Sequence, residues 1–216
     1  MDAKINHTPS FSTLFVDLKQ GDRITTEADA MASMTSNVTF DTHTMGGLFS
    51  ALLRKIGGGE SIFVNDFYLE EGEKGEVVLT QNLPGDLVCM ELKNGKSIYL
   101  QPGAFLACTK GVKIKTKWAG FKSWFAKEGL FRLQASGDGK VWFGSFGGIV
   151  EKQVKGEYIV DTSHLIAYEP SLNMKLQLSG DGLLSSLFSG EGFVTRLEGN
   201  GTVYLQTRTI KGLAGW

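Results

Sequence analysis

Cysteine, histidine and proline are all scarce in this chain of 216 residues, which has 2 Cys, 3 His and 4 Pro. Cys89 and Cys108 do not form a CxxC pair, and both stand in apolar strand-like runs. A disulfide framework and a thioredoxin-type motif are thereby excluded, and the expectation is two buried, reduced thiols. His7, His43 and His164 have no second His or Cys at a ligand spacing, so no metal site and no cofactor is expected. Apolar runs are short, such as LFSALL at residues 48–53, far below the roughly 18 residues of a membrane-spanning helix. The N-terminus has no apolar core behind a basic start, so no secretory signal is read and a cytoplasmic location is expected. Neither charge dominates: 22 Lys+Arg against 23 Asp+Glu leave a formal net charge of −1. That balance excludes an obligatory polyanion binder of the histone kind but leaves room for a local basic patch.

Glycine is abundant, at 28 residues, nearly double the usual share of roughly 7 %. Residues 57–59 lack the Lys-Ser/Thr of a phosphate loop, and residues 144–148 lack a following helix. Both glycine clusters therefore read as tight turns and bulges. A hydrophobic fraction of 42 % supplies a real core. Short stretches rich in β-branched and aromatic residues recur at 77–79, 88–92, 98–100, 112–116, 130–133, 141–143, 174–178 and 203–205, and no long amphipathic helix interrupts them. The chain is expected to be all-β. Asn94-Gly95, Asp138-Gly139 and Asn200-Gly201 read as two-residue hairpin turns, because these residues tolerate positive φ.

The strands fall into a frame. Gly75-Glu-Val77-Val-Leu79, Gly139-Lys-Val141-Trp-Phe143 and Gly201-Thr-Val203-Tyr-Leu205 share a glycine followed by apolar positions two and four residues on. Upstream of them lie Ala30-Met31-Ala32, Phe105-Leu106-Ala107 and Leu165-Ile166-Ala167, and Gly-rich apolar connections lie between at 45–56, 119–128 and 182–191. Three features in one order predict three pseudo-repeated β-sandwich units, about 23–97, 98–157 and 158–216, inside one compact body spanning 1–216. A unit of roughly 60 residues is marginal alone, so the three should share faces and edges.

The run from Gly46 through GLFSALLRKIGGGESIFVNDFYLEEGEKGEVVL, then Pro84-GDLVCMELKNGKSIYLQPGAFLAC and Gly190-EGFVTRLEGNGTVYLQTR, resembles the mitochondrial biogenesis family named for altered inheritance of mitochondria, as a prokaryotic member. The resemblance covers about residue 24 to the C-terminus. It implies a fold like the tryptophan RNA-binding attenuation protein, with three units per chain and chains that associate as homotrimers. It carries no catalytic residues. Eukaryotic members are linked to the organisation of the inner mitochondrial membrane, a location not carried over to a chain without a visible transit peptide.

Catalysis needs tuned groups held together, and the supply is thin. Asp161-Thr-Ser163-His164 contains triad residue types, but neighbours on a strand point to opposite faces, so a solvent-facing strand start is expected. The strongest local feature is basic and aromatic. Lys113, Lys115 and Lys117 alternate along one strand face, and Trp118, Phe121, Trp124 and Phe125 follow, interleaved with Lys122 and Lys127. Such a patch could hold single-stranded nucleic acid or an anionic membrane surface, or be a solvated face beside core aromatics. The favoured expectation is a non-enzymatic, homo-oligomeric scaffold or binding protein. A nucleic-acid-binding module and a membrane-surface organiser are the alternatives, and no small-molecule ligand is indicated. The apolar connections should be buried as a plug or at a subunit contact, with Leu52, Leu184 and Leu187 covered and Trp124 the most exposed.

Overall fold

The computed structural model describes residues 1–44, 63–118, 131–178 and 193–214. Strand dominates it. Along the chain come β1 (Asp2–Asn6), β2 (Thr13–Leu18), β3 (Arg23–Glu27), β4 (Met31–Met34), β5 (Val38–Thr44), β6 (Phe63–Leu69) and β7 (Gly75–Thr80). Next are β8 (Leu87–Leu92), β9 (Ser97–Leu100), β10 (Phe105–Thr109), β11 (Val112–Trp118), β12 (Phe131–Gly137) and β13 (Gly139–Gly144). The last group is β14 (Ile149–Asp161), β15 (Leu165–Tyr168), β16 (Leu172–Leu178) and β17 (Phe193–Gln206), followed by a short helix α1 (Ile210–Ala214). No helix among the described residues is long and apolar enough to cross a membrane.

Period-two alternation explains most of these strands. In β2 the sequence TLFVDL buries Leu14, Val16 and Leu18 and leaves the residues between them partly exposed. The run FLACT of β10 does not alternate because the strand is central: its first four residues are all buried, with β3 on one edge and β13 on the other.

The antiparallel sheets run β1-β2-β7-β4, then β5-β6-β3-β10-β13-β8, then β11-β12-β9-β15-β17-β14 with β16 also on β17. One pairing scheme recurs along the chain. From β2 to β7 the last strand pairs with the first and third, and the fifth pairs with the second and fourth. The stretch from β8 to β13 obeys the same scheme. So does the stretch from β14 to β17, where the two long strands each cover two positions: residues 201–206 pair with 149–154 and β15, and residues 193–199 pair with 157–161 and β16. A register shift falls at Met31/Ser33, Phe105/Ala107 and Leu165/Ala167. Successive stretches join edge to edge, β3 to β10 and β9 to β15.

Two sequence expectations need correction. The three Gly dipeptides are not hairpins: Asn94-Gly95 and Asp138-Gly139 are corners where the chain changes sheets. Asn94 and Gly95 do adopt positive φ and Lys96 N–H donates to Lys93 O at 3.0 Å, yet β8 goes on to pair with β13 and β9 with β12. Asn200-Gly201 lies inside the continuous β17. The first of the three expected anchors, Ala30-Met31-Ala32, is also one residue out of step. Met31, Phe105 and Leu165 face Leu79, Phe143 and Leu205 respectively, so Met31-Ala32-Ser33 matches Phe105-Leu106-Ala107 and Leu165-Ile166-Ala167.

Three apolar clusters fill the interior. The first joins Leu14, Phe67 and Leu79 with Leu87, Leu106 and Trp142 from the next stretch of chain. The second joins Ile98, Leu133 and Phe143 with Ile166, Ala167 and Tyr204 from the last stretch. The third holds Val154, Val160, Leu165, Tyr168, Leu172, Leu197 and Val203. Burying a large apolar side chain contributes about 1.5–3 kcal/mol, so Trp142 and Tyr204 fasten one stretch into its neighbour.

Candidate functional site

Residues opposite one another in an antiparallel ladder share a face. On β11 and β12 the pairs Lys113 with Ser136, Lys115 with Gln134 and Lys117 with Arg132 form one face, and Gln134 and Tyr99 extend it across the sheet. Lys113, Lys115 and Lys117 are exposed. Among the described residues none of the three pairs with a carboxylate, whereas Lys175 meets Glu198 at 2.7 Å and Arg196 meets Glu157 at 3.0 Å on the matching face of β16 and β17. The sequence therefore placed the three lysines on one face correctly. Trp118 ends β11 opposite Phe131. Lys122, Trp124 and Lys127 lie outside the described residues, as do Leu52, Leu184 and Leu187.

Sequence reasoning missed Arg132. Its guanidinium lies 4.0 Å from the Tyr99 ring centroid and 5.8 Å from that of Tyr168, and it donates to the Tyr168 hydroxyl. The rings themselves are 5.3 Å apart. Burial raises the Tyr168 hydroxyl above its ordinary value while Arg132 pulls the other way. Only the long-range pairings of β12 with β9 and of β9 with β15 bring these residues together, so no local signal marks them.

The corresponding face of β3, β5 and β6 has different chemistry. Asp66 accepts from Arg23 Nη1 at 2.9 Å and Thr25 Oγ1 at 2.5 Å, with His43 Nδ1 at 4.0 Å. Alongside runs a cleft of about 230 Å³ lined by Thr25, His43, Cys108, Val112 and Ile114 among others. Cysteine, histidine and aspartate meet here, the residue types of a nucleophilic set. The thiol is tuned the wrong way, however: burial, with Asp66 adding to it, pushes Cys108 up to about 12. A thiol with that value is ionised about once in 10⁵ molecules at neutral pH, whereas catalytic thiols are activated by lowering it.

Asp161, Ser163 and His164 do not form a triad, nor do they begin a strand facing solvent. Asp161 Oδ1 caps a 3-10 turn, accepting from Ser163 N–H at 2.9 Å and Ser163 Oγ at 2.7 Å, and His164 Nδ1 lies 2.6 Å from the Gln206 carbonyl oxygen. Cys89 also departs from expectation, since its side chain alternates outward on β8 and is exposed. Among the described residues no group of three His, Cys, Asp or Glu could hold a metal ion.

Residues 3–208 match the model of the family described as mitochondrial biogenesis AIM24. The chain belongs to that family. An uncharacterised protein of Streptococcus pyogenes serotype M6 is 29 % identical to this AIM24 family member over 220 residues, covering 98 % of this chain and 87 % of that one. A Streptococcus pyogenes protein of known crystal structure superposes with a TM-score of 0.81 at 28 % identity, covering 99 % of this chain and 96 % of that chain. The AIM24 resemblance carried by residues 46–79, 84–108 and 190–208 is thus a true membership, and the likeness extends over nearly the whole fold.

Proposed function

We propose that this AIM24 family protein is a non-catalytic, homo-oligomeric scaffold or binding protein of the cytoplasm, built from three copies of one β-sandwich unit and assembled as a trimer. The observation that carries the non-catalytic reading is Cys108, whose thiol is silenced in a cleft that it lines with His43, itself 4.0 Å from Asp66. The recurring strand pairing and the register shift at the same place in each stretch support three units. Drawn on that pairing, they run over 13–80, 87–144 and 149–206, so that each boundary falls in a link between strands. An attenuation-protein-like arrangement fits the six- and seven-stranded sheets, each of which spans two neighbouring units. The test is a turnover screen with purified protein. Activity that persists across preparations and disappears in Cys108→Ser or Asp66→Asn would overturn the reading.

One observation favours a second reading, in which the protein holds nucleic acid. Lys113, Lys115, Lys117 and Arg132 share one face beside Tyr99, and among the described residues no acid answers them. Replacing the three lysines with alanine should abolish binding to single-stranded RNA at low salt, and wild-type binding should weaken steeply as salt rises. Passage of the wild type through an RNA column at low salt would remove this reading. Retention on anionic vesicles instead would point to the membrane surface.

A further inference from the structure

Inside the chain the same edge joins the same edge twice, β3 to β10 and β9 to β15. Continuing that order calls for a third junction, between residues 157–161 of β14 and β4. Both edges are free among the described residues: β4 pairs only with β7, and this part of β14 pairs only with β17. An unpaired edge is a template for another strand.

Exposure distinguishes these strands from their counterparts. All four residues of β15 and the first four of β10 are buried, whereas all four of β4 are exposed. Met31 and Met34 are each 37 % exposed and Ile159 is 51 % exposed, against 1 % for Cys108 and 2 % for Tyr168, the counterparts of Met34. The cores tell the same story. Leu106 and Trp142 enter the core of the first unit, and Ile166 and Tyr204 that of the second. The third core takes no buried residue from a following unit.

We propose that β4 of one chain pairs antiparallel with residues 157–161 of β14 of a second copy, completing the third two-unit sheet and covering the third core. The internal junctions fix the register. Ala107 faces Thr26 and Cys108 faces Thr25, while Ala167 faces Leu100 and Tyr168 faces Tyr99. Carried to the third junction, Ser33 faces Val160 and Met34 faces Ile159. The two edges differ, so the contact is head-to-tail and propagates until a ring closes. The apolar side chains of Met34 and Ile159, wasted on solvent in one chain, meet across this contact. The proposal rests on the homo-oligomeric reading above and specifies its interface.

Cysteine cross-linking tests it. In a Cys89→Ser background, Met34→Cys combined with Ile159→Cys should link chains on mild oxidation, because directly opposed residues bring their Cβ atoms within reach of a disulfide. Mixing the two single variants should give covalent dimers only. Ala32→Cys with Ile159→Cys, two residues out of register, should not link. A cross-link within one chain, or none while wild-type protein sediments as an oligomer, would overturn the edge assignment and leave the oligomer standing; a wild-type monomer at micromolar concentration would remove the oligomer as well. Should the cysteine variants misfold, Met34→Lys and Ile159→Lys serve instead, each expected to sediment as a folded monomer with an unchanged far-ultraviolet spectrum. Oligomers that survive both lysine variants would contradict the proposal.

Discussion

Glu27, at the end of β3 beside the first junction, is a carboxyl group whose ionisation the fold resists. Burial, with the charge of Asp29 adding to it, pushes its carboxyl from 4.5 up to about 7. The folded chain therefore holds this proton more tightly than the unfolded one, so the associated stability is complete below about pH 4.5 and is lost as pH rises to about 7. Water still reaches part of the side chain, which reduces the effect to about 1 kcal/mol. Glu27→Gln should raise Tm by about 2–4 °C at pH 8 and leave it unchanged at pH 4; equal shifts at both values in thermal melts would contradict this. The thiols give a second residue-scale outcome. A thiol reagent should modify one cysteine in the native protein, Cys89, and reach Cys108 only on unfolding, because Cys108 is 1 % exposed. Fast labelling that survives Cys89→Ser would contradict it. The burial of Cys108 was legible in its apolar run, whereas the exposure of Cys89 and the raised carboxyl of Glu27 were not, since these depend on which strands come to lie beside them.

At the scale of elements, glycines with different surroundings should respond differently. A Cβ at Gly85 would stand 1.9 Å from the Ser145 carbonyl oxygen, in a contact made by backbone that cannot swing aside. At Gly95, in the corner between β8 and β9, nothing lies within 4 Å and only the φ of +78° resists a side chain. Gly85→Ala should cost about 2–4 kcal/mol, or roughly 4–15 °C in Tm, and Gly95→Ala about 1 kcal/mol; thermal melts with the opposite order would refute the account. These elements also show why sequence reasoning succeeded and failed. The β-branched and aromatic runs located eight of the strands from β7 onward, because strand propensity is local, while the alternation in TLFVDL of β2 went unread. Asn94-Gly95 was correctly read as a tight turn and wrongly as a hairpin, because positive φ is a local property and the partner of a strand is not. The anchor register slipped by one residue for the same reason: the irregularity at Met31/Ser33 is visible only against β7. Of the basic and aromatic patch, the lysine periodicity was legible and the Arg132, Tyr99 and Tyr168 cluster was not.

At the scale of the whole molecule, three stretches of chain share one pairing scheme, and each of the first two cores is closed by side chains from the stretch that follows. Among the described residues the third has no successor, so one apolar edge stands open at each end of the array. Head-to-tail contact between copies removes both edges at once, and a ring leaves none over. Sedimentation velocity of the wild-type protein, diluted through the micromolar range at physiological salt, tests this most directly. The account predicts one species at three times the 23.5 kDa chain mass, holding together on dilution; a stable species at the mass of one chain would contradict it.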